Sequence, residues 1–283
     1  MATGAVSCFA ISGAADVWSV EVLVDSRPAP AQQAMVEDTV ARIVAGIGGP
    51  SPRITWRPVE DEDWVARSQA ALPALQAGRF IIHGSHDQAR FRGRALAIEI
   101  NAGLAFGTGH HGTTEGCLLA LDGILRRTMP RRVLDLGCGS GILAIAAAKV
   151  LKARVLAADI DPVAVNVAAG NVHANGVGHL VRVFCAEGLY HPALRSAAPF
   201  DLVLANILAR PLVRLAPSLR RSVAIGGQIV LSGLLRHDER RIVAIYRLAG
   251  FRLVRRLRLG EWSTLVVRRE GQRRCSGSPQ TIR

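Results

Sequence analysis

The chain has 283 residues, 49% of them hydrophobic, so it can bury at least one full core and form one or two domains. No stretch approaches the ~20 apolar residues that a membrane-spanning helix needs, and we expect no membrane partner. The first residues lack the basic start of a signal peptide. Five scattered cysteines without a C-x-x-C pair argue against a zinc site or a disulfide framework and favour a reducing cytoplasm.

The formal net charge of +13 raises the question of an acidic partner. Lys149 and Lys152 are the only lysines among the 35 basic residues, so 33 are arginines. Such a skew can reflect genome composition as well as selection for a phosphate-binding surface. Solvated faces of the late helices and strands are therefore the first interpretation. Contact with an acidic or RNA-bound partner stays open as the second.

The first sixty residues predict a small α+β domain. Val17–Val24 alternates like a strand, Ala31–Ile47 has helical spacing, and Arg53–Val59 is predicted as a second strand. We assign residues 1–59 to this domain. Residues 60–72 are predicted to form a linker helix, because acidic residues stand in its first turn, where the helix dipole favours them.

Strands and helices alternate through a second domain, residues 73–270, which predicts a parallel sheet with helices on both faces. The predicted strands of this sheet are Val133–Leu136, Val155–Ala158, Val181–Cys185, Leu202–Ala205 and Gln228–Leu231. The predicted helices are Ile142–Leu151, Pro162–Asn175, Pro211–Arg221 and Asp238–Ala249. Two closing strands, Phe251–Leu259 and Trp262–Arg268, flank a Gly-Glu hairpin signal, which is unlike a dehydrogenase. Residues 271–283 are expected to be a disordered tail.

A glycine-rich loop follows the first strand of this series. Its sequence, Asp135-Leu136-Gly137-Cys138-Gly139-Ser140-Gly141, leads directly into an apolar helix. Such glycines permit a sharp turn and let the backbone lie against a ligand at the carboxyl edge of an open sheet. Because the glycines stand at every second position, the loop differs from the G-x-G-x-x-G that seats a pyrophosphate and suits a ligand with an amino-acid end.

An acidic residue, Asp159, ends the next strand. A carboxylate at this place can accept both hydroxyls of a ribose. Asp161, which is followed by Pro162, is predicted to cap the next helix instead. The glycine loop, the ribose acid and the sheet together predict S-adenosylmethionine as the cofactor.

Asn206 ends the fourth strand, beside the predicted cofactor edge. Methyl transfer to an amine is an in-line displacement that needs an uncharged nitrogen held close to the methyl group. A side-chain amide can accept the N–H groups of the amine and aim its lone pair, so Asn206 is the candidate catalytic residue. The alternative is a loop asparagine that satisfies local backbone.

A polar, glycine-rich segment, 103–114, precedes the first helix of the domain and suits a lid over a ligand. Its Thr113 and Thr114 are also plausible helix caps. His110 and His111 are candidates for a general base or a metal pair, but adjacent histidines without further ligands are more often structural. No metal site is predicted.

Four motifs occur in order: G-L-A-F-G-T-G-x-H-x-T-T, D-x-G-C-G-S-G-I-L-A-I-A-A, D-I-D-P and A-N-I-L-A-x-P-L. Together they resemble the bacterial ribosomal protein methyltransferases that modify large-subunit ribosomal protein eleven, from about Trp64 to about Val267. The resemblance implies an α/β fold: a Rossmann-like, seven-stranded methyltransferase domain with a terminal antiparallel hairpin, preceded by a ferredoxin-like substrate-recognition domain. It implies S-adenosylmethionine-dependent methylation of lysine and N-terminal amines of that protein. By motif, the cofactor contacts would be Thr114, Gly137, Asp159 and Asn206.

The chain departs from the family pattern in two places. The segment reads Gly109-His110-His111-Gly112 where many members have threonine before the histidine and proline after it. A ferredoxin-like fold needs two β-α-β halves, and residues 1–59 supply one. Either this branch has an abbreviated domain or the chain begins at an internal methionine.

Three rival functions remain. Methyltransferases of glutamine amides resemble this domain, but they carry Asn-Pro-Pro-Tyr where this chain has Asn206-Ile207-Leu208-Ala209. A small amine is a second acceptor to consider. An RNA-binding module would use the late arginines, but aromatic residues, which stack on bases, are only 5% of the chain. We expect a monomer that acts on a ribosomal protein, with a weak contact to ribosomal RNA through the arginines as an open question.

Overall fold

The computed structural model describes residues 3–10, 18–24, 26–57, 74–100 and 112–271. The chain divides into two compact units, Met1–Glu62 and Asp63–Arg283. Three predicted features lie outside the described residues: the linker helix, the pair His110 and His111, and the tail after Gly271. Within these ranges, no helix has the length and apolar character to cross a membrane.

The first unit contains an antiparallel hairpin followed by a helix. Its strands are β1 (Thr3–Ala10) and β2 (Trp18–Val24), and its helix is α1 (Pro30–Gly46). The strand predicted over Arg53–Val59 is wrong for residues 53–57, which form no strand. Side-chain hydrogen bonds hold this segment in place of backbone hydrogen bonds to a neighbouring strand. Trp56 donates to Glu37 at 2.8 Å, and Arg57 donates to Glu21 at 2.7 Å.

The second unit is built around one large sheet. Its strands are β6 (Val133–Leu136), β7 (Val155–Asp159), β8 (Val181–Cys185), β9 (Phe200–Asn206), β10 (Val223–Leu235), β11 (Phe251–Leu259) and β12 (Trp262–Arg269). Their order is β11-β12-β10-β9-β6-β7-β8. The strands from β10 to β8 run parallel, and β11 and β12 pair antiparallel. The predicted mixed α/β fold with a parallel sheet is confirmed.

Helices cover both faces of this sheet. They are α3 (Gly112–Leu125), α4 (Ile142–Leu151), α5 (Pro162–Ala174), α6 (Pro192–Ala197), α7 (Ala209–Ser222) and α8 (Glu239–Leu248). One core contains Leu202 and Leu204 with α3 and α4, and the other contains Val203 with α7 and α8. Alternate residues of β9 therefore face opposite helix layers, as the period of a strand requires.

A three-stranded sheet precedes the large one along the chain. It consists of β3 (Leu75–Ala77), β4 (Phe80–His83) and β5 (Ala97–Glu99), with the short helix α2 (Gln88–Phe91) between β4 and β5. Lys149 of α4 donates to the Ala97 carbonyl, and Asn175 donates to the Glu99 carbonyl at 2.6 Å. These bonds fix the small sheet to the helix layer of the large one.

Glu239, at the start of α8, anchors the terminal hairpin. The side chain is almost fully buried and accepts hydrogen bonds from Arg258 at 2.7 and 2.8 Å, and it forms an ion pair with Arg256 at 2.9 Å. The hydrogen bonds from Arg258 lower the pKa of Glu239 from 4.5 to about 2. The ionised carboxylate therefore stabilises the folded state.

This ion pair predicts a stability loss in acid. Because the folded pKa lies below the unfolded value, the contribution is complete above about pH 4.5 and is lost as the pH falls toward 2. Urea unfolding at stepped pH should show a smaller acid dependence of the unfolding free energy in Glu239→Gln than in the wild type. Glu270→Gln is the control, because Glu270 pairs with Arg252 at the exposed surface. Equal acid dependence in wild type and Glu239→Gln would contradict this role.

Candidate functional site

The glycine loop between β6 and α4 forms a tight turn against the end of β7. The N–H groups of Gly137 and Cys138 both donate to the Ala158 carbonyl, at 2.8 and 3.0 Å. Gly137 has a φ of 70°, and a Cβ atom there would overlap the side chain of Ile207, which follows β9. Both the positive φ and this close approach to the end of β9 favour glycine at position 137.

Asp159, the last residue of β7, lies beside this loop. One carboxylate oxygen accepts the Gly139 N–H at 2.8 Å and the other accepts the Asp161 N–H at 3.1 Å. The side chain is half-buried, and each oxygen retains a lone pair for a further donor. Asp161 is the N-cap of α5, with its side chain accepting the Val163 N–H at 2.9 Å, so its predicted capping role is confirmed.

Asn206 and Thr114 form a pair at the same carboxyl edge. Asn206 is the last residue of β9 rather than a loop residue. Its side-chain nitrogen donates to the Thr114 hydroxyl at 3.4 Å. Thr114 is buried in the first turn of α3, next to the equally buried Thr113. Because β6 pairs with β9 in parallel register, this pair lies close to the glycine loop.

Asp135 is a buried acid beneath the loop to which the sequence pattern assigned no role. One carboxylate oxygen accepts the Ala144 N–H at 2.9 Å, and the other has no hydrogen-bond partner among the described residues. Burial raises the pKa of Asp135 to about 7, and the nearby Asp159 carboxylate adds to this. The only sequence signal for it is its position two residues before the first glycine.

These residues fit a nucleoside cofactor that carries an amino-acid end. Asp159 can still accept hydrogen bonds from ribose hydroxyls. Asp135 places an unpartnered carboxylate oxygen beneath the loop, where a cationic ligand would offset the cost of burying its negative charge. In the described part of the chain, no group of three metal-ligating side chains occurs. The predicted site residues Thr114, Gly137, Asp159 and Asn206 all lie along the carboxyl edge of β6, β7 and β9.

The parallel sheet, its terminal hairpin, the G-x-G-x-G loop and the acid at the end of β7 define the Rossmann-like class of methyltransferases. A family model described as "Ribosomal protein L11 methyltransferase (PrmA)" matches residues 18–270. The chain belongs to this family.

Similar proteins carry the same description. A ribosomal protein L11 methyltransferase of Bradyrhizobium diazoefficiens is 54% identical over 213 residues, which are 75% of this chain and 72% of the relative. One of Mesorhizobium japonicum is 50% identical over 233 residues, covering 82% and 80% of the two chains. The crystal structure of a ribosomal protein L11 methylase from Lactobacillus delbrueckii subsp. bulgaricus superimposes with a TM-score of 0.63 at 29% identity, covering 71% of this chain and 100% of that one.

Proposed function

We propose that this protein transfers methyl groups from S-adenosylmethionine to lysine side chains and an N-terminal amine of ribosomal protein L11. Membership of the family supports the substrate, because relatives at 54% and 50% identity are named for it. The observation that carries the chemistry is the Asn206–Thr114 pair at 3.4 Å, held beside the glycine loop.

In this reaction, Asn206 positions the acceptor amine. Its side-chain oxygen, which has no hydrogen-bond partner among the described residues, accepts an N–H of the neutral amine, while its nitrogen stays on Thr114. S-adenosylmethionine, when bound, supplies an electrophilic methyl group on sulfur. Asn206 would direct the nitrogen lone pair toward that methyl group, whose transfer would break the S–C bond and leave a thioether, and the methylated amine would release its proton to water. No strong base is needed, because the amide only orients a nitrogen that is already deprotonated.

The cofactor is proposed to lie along the carboxyl edge. Asp159 would accept its ribose hydroxyls, Gly137 would let it approach the loop backbone, and Thr114 with Asn206 would border its reactive end. The half-buried Asp159 carboxylate and the excluded Cβ at position 137 support this placement.

The decisive experiment incubates the protein with isotope-labelled S-adenosylmethionine and purified L11, and locates the label by peptide mass spectrometry. We expect label on lysine and N-terminal amines, and a rate that rises from pH 7 to about 9 as the acceptor lysine, with an ordinary pKa of ~10.4, loses its proton. Label on a glutamine amide, or no label on L11, would contradict the proposal.

We also infer that residues 73–270 form a seven-stranded methyltransferase domain, and that residues 1–59 form a small ferredoxin-like domain that recognises L11. The hairpin of the first unit supports a recognition role, since Val20 and Val22 of β2 are 60% and 52% exposed. Two adjacent apolar side chains on one strand face are suited to contact a protein partner.

Replacing these valines should weaken substrate binding alone. Val20→Ser with Val22→Ser is expected to raise KM for L11 about tenfold and to leave kcat unchanged, since remote contacts supply binding energy. The alternative docking surface is tested by Arg240→Glu with Arg241→Glu on α8. If only these charge reversals raise KM, and make it less salt-sensitive, the basic surface does the docking and the small domain does not.

A weak contact with ribosomal RNA is proposed for the helix layer of α7. Arg210, Arg214 and Arg221 share one face by helical spacing, all three are exposed, and α7 contains no acidic residue. Such a stripe suits a phosphate backbone.

We further propose that the protein acts as a monomer in the cytoplasm, where it would encounter a ribosomal protein substrate.

A further inference from the structure

The strand β10 carries a β-bulge opposite Thr264 of β12. Leu231 pairs with Leu265 and Leu234 pairs with Ser263, so two residues, Ser232 and Gly233, oppose the single Thr264. Gly233 has a φ of 76°, which favours glycine. A bulge of this kind redirects side chains and backbone locally. This one lies at the carboxyl edge, because Ser232 is the register partner of Asn206.

The bulge fixes the first turn of α3 through a chain of buried hydroxyl groups. The Ser232 hydroxyl donates to the Thr113 carbonyl at 3.2 Å, so it accepts the proton of the Thr264 hydroxyl, 2.8 Å away. Both hydroxyl residues are essentially inaccessible to solvent. Gly116 of α3 leaves room for this contact, since a Cβ there would overlap Thr264. Ser232 therefore holds the residue directly before Thr114.

The same bulge contacts the chain directly after Asn206. A Cβ at Gly233 would lie 2.5 Å from the Ile207 carbonyl oxygen and 2.7 Å from its carbonyl carbon. The backbone of β10 thus packs against the backbone of Ile207 with no side chain between them. Two adjacent residues of β10 therefore fix both members of the Asn206–Thr114 pair: Ser232 bonds to the residue before Thr114, and Gly233 packs against the residue after Asn206.

We propose that the Ser232–Gly233 bulge, with Thr264, is a positioning element for the methyl-transfer site. It sets the distance between the Thr114 hydroxyl and the Asn206 amide, and with it the direction in which the amide presents its oxygen to the amine. Ser232 and Thr264 contact neither substrate nor cofactor in this scheme and act only through Thr113, Thr114 and Asn206. The inference rests on the proposed function of Asn206 as the residue that orients the acceptor.

Two hydroxyl deletions test the element in the full-length protein. Ser232→Ala and Thr264→Val should each lower kcat for L11 about tenfold, the equivalent of one neutral hydrogen bond, with KM and cofactor affinity within about twofold of wild type. Thr264→Ser keeps the hydroxyl and should restore most of the rate. Adding Ser232→Ala to Asn206→Ala should cause no further loss, because the serine acts through the asparagine.

Tyr246→Phe is the matched control. It removes another buried hydroxyl that donates to a backbone carbonyl, that of Leu212 at 3.1 Å, in the opposite helix layer. Its unfolding free energy should fall about as much as that of Ser232→Ala, and its kcat should not change. The proposal is overturned if Ser232→Ala and Tyr246→Phe have equal kcat, or if Ser232→Ala changes only KM. It is also overturned if adding Ser232→Ala to Asn206→Ala still lowers kcat tenfold.

A nuclear magnetic resonance measurement separates this inference from the reaction itself. The side-chain ¹⁵N amide signal of Asn206, identified by its loss in Asn206→Ala, should shift in Ser232→Ala and stay in place in Tyr246→Phe. If the wild-type protein does not methylate L11, the proposed function is wrong. If the Asn206 amide signal does not move in Ser232→Ala, the bulge does not position Asn206, and this holds for any substrate.

Discussion

Asn206→Ala is expected to lower kcat for L11 methylation about a hundredfold, which is the loss that a small misplacement of a reacting group can cause. The alanine cannot accept an N–H of the amine, so the lone pair is no longer directed at the methyl group. Affinity for S-adenosylmethionine, measured by calorimetry, should change by no more than about threefold, since the ribose acid and glycine loop remain.

Thr114→Val is the graded comparison for this experiment. It removes the hydroxyl that contacts the Asn206 amide and keeps the volume of the side chain, so the amide stays in place but is less well held. We expect a loss of turnover intermediate between wild type and Asn206→Ala. Full turnover in Asn206→Ala would refute the orienting role, and an equal fall in cofactor affinity and kcat would make Asn206 a cofactor ligand alone.

Much of the fold of the second unit follows from local patterns in the sequence. The predicted strand Val181–Cys185 and the hairpin strand Phe251–Leu259 occur with the predicted bounds. Strand β10 is longer than the predicted Gln228–Leu231, because the continuous apolar run that marks it covers only Ile229–Leu231. The residues on either side are held in the strand by pairing with β9 and β12, which no single segment encodes.

The first unit shows where local patterns mislead. Strand β1 was not predicted, because its small residues give little alternation in hydrophobicity. Residues 53–57 were predicted as a strand, yet they are held by side-chain bonds from Trp56 and Arg57. A strand requires a partner with free backbone groups as well as a suitable pattern, and the partner is not visible in the sequence of the segment itself.

The candidate site divides in the same way. Gly137 and Asp159 can be predicted because each stands at a fixed distance from a strand end within one βα unit. Ser232 and Thr264 cannot, since their importance depends on a register shift between two strands and on the approach of α3. The sequence does not single out Gly233 either, because it is one of 28 glycines.

Asp159→Ala is expected to weaken S-adenosylmethionine binding by tenfold to a hundredfold, because charged hydrogen bonds of this kind contribute about 1.5–3 kcal/mol. The structure gives this carboxylate a second role, since it also accepts the N–H groups of Gly139 and Asp161. The variant therefore removes the ribose acceptors and also loosens the glycine loop, and the two effects must be separated.

An analogue cycle separates them. A cofactor product analogue that lacks the ribose hydroxyls should bind wild type more weakly by the factor that the hydroxyl contacts contribute. If Asp159 holds the ribose, the same analogue should lose little further affinity in Asp159→Ala, so the two changes are not additive. Asp161→Ala is the control, because that carboxylate caps α5 and its loss should cost about 1 kcal/mol of stability without changing cofactor affinity. Additive losses in the cycle would restrict Asp159 to supporting the loop, and unchanged affinity in folded Asp159→Ala would remove it from the cofactor site altogether.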